Sequence, residues 1–141
     1  MEASPVTRRS PPAANIARMA ADALPPALRD AFDAARHVGP PPGADRRGEA
    51  RNEACGDVVV LWLATAAEGE ARVVRAAGFK AQGCPAAMAT AAAACEVLPG
   101  LRADASLAEG LSRGFEARFG IPRAAHRHAL ALVVEALRTA R

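Results

Sequence analysis

The sequence predicts an α+β domain in which three short strands in the middle of the chain lie between helical segments. β-Branched residues are concentrated between positions 58 and 74, whereas alanine-rich and amphipathic stretches follow from Pro85 onward. A chain of 141 residues has the usual size of one domain. Because much of its 51% apolar composition is alanine, we expect a thin core that is rich in helix.

The first part of the chain predicts an arm, a broken helix and a loop. Residues 1–15 are rich in serine and proline and are expected to be disordered, which leaves residues 16–141 as a single domain. A helix is predicted from Ala14 to Arg36, broken at the Leu-Pro-Pro triplet that ends at Pro26, a residue suited to a first helical turn. The Pro/Gly-rich residues 37–48 then form a loop.

Three strands are predicted next, over Gly48 to Ala54, Val58 to Ala64 and Ala71 to Phe79. The Ala-Glu-Gly-Glu sequence between the last two is typical of a turn, so these two strands should form an antiparallel hairpin.

The remaining sequence predicts three helices. One runs from Pro85 to Leu98 and stops at a Pro-Gly pair. Ser106 to Glu109 has the Ser-x-x-Glu pattern of a capping box and should open a short helix. The last helix is predicted from Ala124 to Thr139, where leucines and valines recur at helical spacing.

Composition and charge exclude several classes of function. No apolar run approaches the ~18 residues of a membrane span, and the first residues lack the apolar region of a signal peptide, so we expect a cytosolic protein without membrane contact. The net charge of +3 comes from scattered arginines, which argues against nucleic-acid binding. Three cysteines cannot form a complete disulfide framework and favour metal or redox chemistry.

The Cys55-Gly56-Asp57 triplet lies where the second predicted strand begins. Its thiol and carboxyl group can project to one side of the chain, with Gly56 permitting a turn. Negative groups at one point repel each other unless a cation lies between them, so the triplet is interpreted as half of a metal site. The alternative is a half-buried cysteine beside a solvated aspartate of a turn.

The other cysteines differ in their predicted surroundings. If Pro85 is the first helical residue, Cys84 is the N-cap, where backbone N–H groups and the helix dipole stabilise a thiolate. Cys84 is then either reactive or bound to a ligand, or it is a passive cap. Cys95 lies about 16 Å further along the helix axis, too far to share a metal centre, and is interpreted as a core residue.

Two histidines near the C-terminus are further candidate ligands. His126 and His128 point about 200° apart on a helix, so at most one of them faces a given site. Taken alone, each is also consistent with a polar surface residue.

The cysteine motifs resemble those of the U-type iron–sulfur cluster assembly scaffolds, a family that includes IscU and the N-terminal domain of NifU. The similarity covers Leu28 to Leu137 and is strongest at Ala-Cys-Gly-Asp (54–57) and Phe-Lys-Ala-Gln-Gly-Cys (79–84). Ser106-Leu107-x-Glu109 matches a further helix start of the family. Lys80, the one lysine beside seventeen arginines, falls inside the second motif, where a compact ammonium group is favoured.

The resemblance implies a three-stranded antiparallel sheet flanked by helices, of the IscU, NifU and SufE type, and a 2Fe–2S cluster held at one end. It implies three cysteine ligands, assisted by an aspartate or a histidine. Cys55, Asp57 and Cys84 match that pattern, but an alignment without gaps places His128 on the family's histidine and Ala129 on its third cysteine. The chaperone-binding motif is matched only weakly by residues 120–124, so binding of the chaperone is left open.

Three functional hypotheses follow. The first is a scaffold, not an enzyme, that binds a 2Fe–2S cluster, iron or zinc through Cys55, Asp57, Cys84 and His128 and transfers it to acceptor proteins. Its implied partners are a cysteine desulfurase and apo-proteins. The second is a SufE-like sulfur acceptor or regulatory partner of the desulfurase, with persulfide on Cys84 or Cys55. The third is a degenerate paralogue that only binds a protein partner.

Overall fold

The computed structural model describes residues 24–34, 36–120 and 124–141. A three-stranded antiparallel sheet of order β1-β2-β3 is flanked by helices, which confirms the predicted α+β fold class. The elements in chain order are α1 (Pro26–Ala34), β1 (Arg46–Asn52), β2 (Asp57–Glu68), β3 (Ala71–Gln82), α2 (Pro85–Val97), α3 (Leu107–Phe119) and α4 (Ala124–Thr139).

The predicted hairpin of β2 and β3 is confirmed, but both strands are longer than predicted. They pair in register from Val58↔Gln82 to Glu68↔Ala71, with an irregularity after Ala64. The sequence after Ala64 is dominated by alanine and glutamate, which have little intrinsic preference for strands. Pairing with β3 supplies the backbone hydrogen bonds that hold this part of β2 extended, and such pairing cannot be read from the strand's own residues.

The helices cover one face of the sheet and build the core. Helix α2 packs against β3, α1 and α4, and α4 also packs against β1. Alanines line most of α2, and its residues 89 and 91–95 are fully or almost fully buried. Cys95 is among them, with no exposed surface, so its predicted place in the core is confirmed. Small side chains let the helices approach one another closely and keep the core thin.

The helix starts agree with the sequence except for one capping interaction. Helix α1 begins at Pro26, and Cys84 is the N-cap of α2. Ser106 is the N-cap of α3, but the predicted capping box is wrong, because its side chain caps no backbone N–H. Its hydroxyl instead donates to Asp104 Oδ1 at 2.5 Å, so a nearer carboxylate outcompetes the helix for the serine.

Several predicted features fall on residues that the structure does not describe. The arm over residues 1–15 and the helix expected upstream of Leu24 lie outside the described residues, as do three of the five residues of the weak chaperone motif. Among the helices of the described ranges, none combines the length and the apolar character needed to cross a membrane.

Candidate metal centre

Four predicted site residues come from three places that meet at one end of the sheet. Cys55 lies in the turn between β1 and β2, and Asp57 is the first residue of β2, paired with Asn52 of β1. Cys84 follows β3, whose Gln82 pairs with Val58 beside Asp57. The antiparallel pairing therefore brings the β1–β2 turn and the N-terminus of α2 side by side.

Local hydrogen bonds shape the turn that carries Cys55. The Asn52 side-chain oxygen accepts a bond of 3.0 Å from the Ala54 N–H, and the Asn52 carbonyl accepts one of 2.7 Å from the Gly56 N–H. Gly56 has φ of +74°, a conformation that glycine adopts without strain. The turn leaves Cys55 exposed and directs its thiol toward Asp57.

Asp57 connects the two cysteines of the site. It is only 8% exposed, and its two carboxylate oxygens accept hydrogen bonds from different groups. Oδ1 accepts a hydrogen bond of 3.0 Å from the backbone N–H of Cys84. Oδ2 accepts a hydrogen bond from each thiol, from Cys55 at 3.2 Å and from Cys84 at 3.4 Å. One carboxylate oxygen therefore holds the two sulfur atoms close together.

Gly83 makes room for this carboxylate. A Cβ atom at position 83 would lie 1.8 Å from Asp57 Oδ1 and 2.7 Å from its Cγ, far inside van der Waals contact. The backbone there also has φ of +125°, which residues with a side chain rarely adopt. The glycine of the second cysteine motif is thus a steric requirement for the contact between Asp57 and Cys84.

The stabilisation of a Cys84 thiolate expected from the helix start is outweighed by the surroundings of the thiol. Partial burial raises the pKa of the Cys84 thiol, and the hydrogen bond and negative charge of Asp57 raise it further. The backbone N–H groups of Ala87 and Ala86 lower this pKa, as an N-cap position predicts, but their effect is outweighed. The prediction failed because it considered the helix alone, whereas Asp57 approaches from 27 residues away.

The two sulfur atoms border an open depression of about 400 Å³. It is lined by Asn52, Ala54, Cys55, Asp57, Cys84, His128 and Ala129. His128 is exposed, while Ala129 is 6% exposed and forms part of the wall. His126 does not line the depression, and its Nδ1 is buried without a hydrogen-bond partner. The helix phase of α4 therefore turns His128, not His126, toward the thiols.

The donor atoms suit a soft or borderline metal ion, with thiols, an imidazole and a carboxylate bordering one depression. Within residues 24–34, 36–120 and 124–141, no three histidine, cysteine, aspartate or glutamate side chains are already spaced as a metal shell. The sulfur–oxygen distances are those of hydrogen bonds, so side-chain rotations must accompany binding. The roles of Cys55, Asp57, Cys84 and His128 as ligands stay predictions.

The sequence reasoning missed the part that Asn52 takes in this site. An asparagine three residues before Cys55 is a turn signal, because its side chain commonly accepts a backbone N–H two residues on. Lys80, singled out by its rarity, is exposed on β3 and does not line the depression.

Comparison with known proteins gives a family match and solved structures of similar fold. Residues 26–140 match the family described as the NifU-like N terminal domain. A solved structure of a candidate iron–sulfur cluster assembly scaffold protein for the SUF system of Fervidobacterium islandicum AW-1 is 16% identical, with a TM-score of 0.54 over 82% of this chain and 93% of that one. A NifU-like protein (N-terminal) from Brucella abortus is also 16% identical, with a TM-score of 0.49 over 81% and 76% of the two chains.

At that identity the Fervidobacterium structure shows a shared fold alone. No curated protein matches the chain. The family match extends from the first described helix to the penultimate residue and includes both cysteine motifs. The chain therefore belongs to the family of NifU-like N-terminal domains.

Proposed function

We propose that this protein is an iron–sulfur cluster assembly scaffold that holds a 2Fe–2S cluster or an iron ion transiently and transfers it to acceptor apo-proteins. The observation that carries the proposal is the convergence of two thiols on one carboxylate oxygen beside a depression that His128 also lines. Membership of the NifU-like family and the description of the Fervidobacterium structure support the same role.

The ligand set accounts for transient binding. With Ala129 in the wall, the chain offers a cluster the two thiolates of Cys55 and Cys84, and the harder ligands Asp57 and His128 complete the set. Fewer thiolates bind iron less tightly than a full set, so the cargo is released readily. We propose a cysteine desulfurase as the sulfur source. The protein acts as a carrier in the cytosol, and no catalytic residue is assigned.

The presence of only two exposed thiols at the site also favours a second candidate function. A SufE-like sulfur acceptor needs one accessible thiol and no cluster, and both Cys55 and Cys84 are exposed. Zinc is a further candidate occupant, since two thiolates, an imidazole and a carboxylate form a ligand set that zinc accepts.

Anaerobic purification followed by iron, zinc and acid-labile sulfide analysis tests the proposal. Iron and sulfide in nearly equal amounts, lost in Cys55→Ala and retained in Cys95→Ala, are the expected result. Cys95→Ala is the matched control because Cys95 is a cysteine of the same chain that is buried away from the site. Zinc alone would support the ligand set but not the cluster. A chain without metal that carries persulfide would support the sulfur acceptor instead.

A further inference from the structure

We propose that Cys55 and Cys84 form a dithiol pair that reduces sulfane sulfur to sulfide, with Cys55 carrying the sulfur and Cys84 resolving it. The inference rests on the proposed function in one respect, namely that sulfur for the cluster reaches this site as a persulfide. It adds an activity to the site: the chain supplies the two electrons that turn the delivered sulfur into the sulfide a cluster needs.

The distances place the two thiols in position for this reaction. Both thiols are hydrogen-bonded to the same atom, Asp57 Oδ2, at 3.2 and 3.4 Å. The distance between the two sulfur atoms therefore cannot exceed the sum of these two distances. Asp57 is itself held by the backbone N–H of Cys84 and seated against Gly83. A thiol that rotates off the carboxylate therefore moves within reach of the other sulfur.

The two cysteines differ in the way their roles require. Cys55 lies in an exposed turn beside Ala54 and faces the open depression, where there is room for an added sulfur atom and for a donor molecule. Cys84 is fixed as the N-cap of the 13-residue helix α2, with an extended backbone held by the following proline. Cys55 is therefore the thiol with room to receive a sulfur atom, and Cys84, whose position is set by the start of α2, is the attacking group.

The chain has no other thiol for this reaction. Of its three cysteines, Cys95 is fully buried in α2, and burial raises the pKa of its thiol far above the ordinary value. A thiol enclosed in the core cannot reach a persulfide donor or the sulfur atoms of the site. Two electrons must therefore come from Cys55 and Cys84 together, or from an external thiol.

The reaction balances in two steps. First, a persulfide donor transfers its outer sulfur to Cys55, leaving the donor as a thiol and Cys55 as a persulfide, with no net redox change. Then Cys84 Sγ attacks Cys55 Sγ, the bond between Cys55 Sγ and the outer sulfur of the persulfide breaks, and a Cys55–Cys84 disulfide forms. The thiol proton passes through Asp57 Oδ2, which accepts its hydrogen bond, to the departing sulfur, which leaves as hydrogen sulfide.

The electrons gained by the released sulfur equal those lost by the two cysteine sulfurs. The outer sulfur gains two electrons and becomes sulfide, and each cysteine sulfur loses one on entering the disulfide. An external dithiol reductant must then reduce the disulfide before another turnover. The same step restores both thiolates as ligands.

The test uses the reduced full-length chain, treated without oxygen with a small-molecule cysteine persulfide. Released sulfide is measured over time, and peptide mapping of the product identifies persulfides by the gain of one sulfur atom and disulfides by the loss of two hydrogens. The expected result is a Cys55–Cys84 disulfide formed together with sulfide. In Cys84→Ser, persulfide should accumulate on Cys55 and sulfide release should slow about tenfold or more, because a neighbouring thiol is lost.

Controls separate this activity from unspecific thiol chemistry and from the proposed function. Cys95→Ala should release sulfide at the rate of the natural chain, and both variants are checked for folding by circular dichroism. Equal release from Cys84→Ser, or disulfides only between molecules, would overturn the inference. Iron binding by the reduced chain is measured separately: iron binding without sulfide release would leave the scaffold standing alone, and sulfide release without iron binding would leave only the dithiol activity.

Discussion

Replacing Gly83 by alanine should destabilise the protein and disable its metal site through the same steric conflict. The new Cβ would lie 1.8 Å from Asp57 Oδ1 and 3.0 Å from Asp57 Cα, so the carboxylate must leave its place. Alanine at φ of +125° costs about 1–2 kcal/mol of backbone strain. Loss of the bond from the Cys84 N–H to this carboxylate adds about 1.5–3 kcal/mol.

The expected loss in the free energy of unfolding is therefore roughly 2.5–5 kcal/mol, a large part of the stability of a marginal domain. Gly100→Ala is the matched control, because Gly100 also has a positive φ, of +93°, but nothing lies within 4 Å of an added Cβ. It should lose only the strain contribution of about 1–2 kcal/mol.

Urea denaturation followed by the fluorescence of Trp62, the only tryptophan, measures both losses. Cobalt(II) binding to each folded variant, followed through thiolate-to-metal absorption, gives a reading of the site that does not depend on stability. Gly100→Ala should bind as the natural chain does, and Gly83→Ala should not. If the two variants lost equal stability and bound cobalt equally, the steric account of Gly83 would be refuted.

Three further predictions concern the ligand set and the core. Ala129→Cys adds a third thiolate at the wall of the depression and should slow cluster loss after reconstitution, followed by visible absorption. His128→Ala should weaken metal binding in titrations, while His126→Ala should not; the reverse result would show that His126 is the ligand. Burial, then the charge of Glu96, raises the pKa of the Cys95 thiol above its ordinary value of 9.0, so folded Cys95 stays protonated where the unfolded chain ionises. Stability from this group is complete below about pH 9 and falls by up to about 1.4 kcal/mol per pH unit above it, a slope that Cys95→Ala should lack in urea denaturation at a series of pH values.

The parts of the fold that the sequence predicted are those decided by local residues. β-Branched runs indicated β2 and β3, Pro85 marked the start of α2, and the Gly-Glu turn after Glu68 indicated the hairpin. Each of these is a preference of a few neighbouring residues for one backbone conformation. The full length of β2 was missed because its later residues owe their conformation to a partner strand.

The sequence predicted which cysteines and which aspartate lie together, but not the role of Asn52 or the electrostatics of the site. The two cysteine motifs pointed to Cys55, Asp57 and Cys84, and the structure brings these three together. Whether the pKa of the Cys84 thiol is raised or lowered depends in part on how closely Asp57 approaches that thiol. This approach follows from the register between β2 and β3. The choice between His126 and His128 depends on the helix phase of α4. Such facts arise from packing between distant segments, which no short pattern contains.

The two proposed roles of the cysteines impose an order on the work of this site. A Cys55–Cys84 disulfide removes both thiolates that a cluster would need, so sulfide production and metal binding cannot occupy the same pair of sulfurs at once. The wall position is Ala129, which has no thiol that could take over either task. Reduction of the disulfide must therefore come between sulfur reduction and iron binding. A dithiol reductant becomes as necessary to this chain as its sulfur donor, because it controls when the ligands are free.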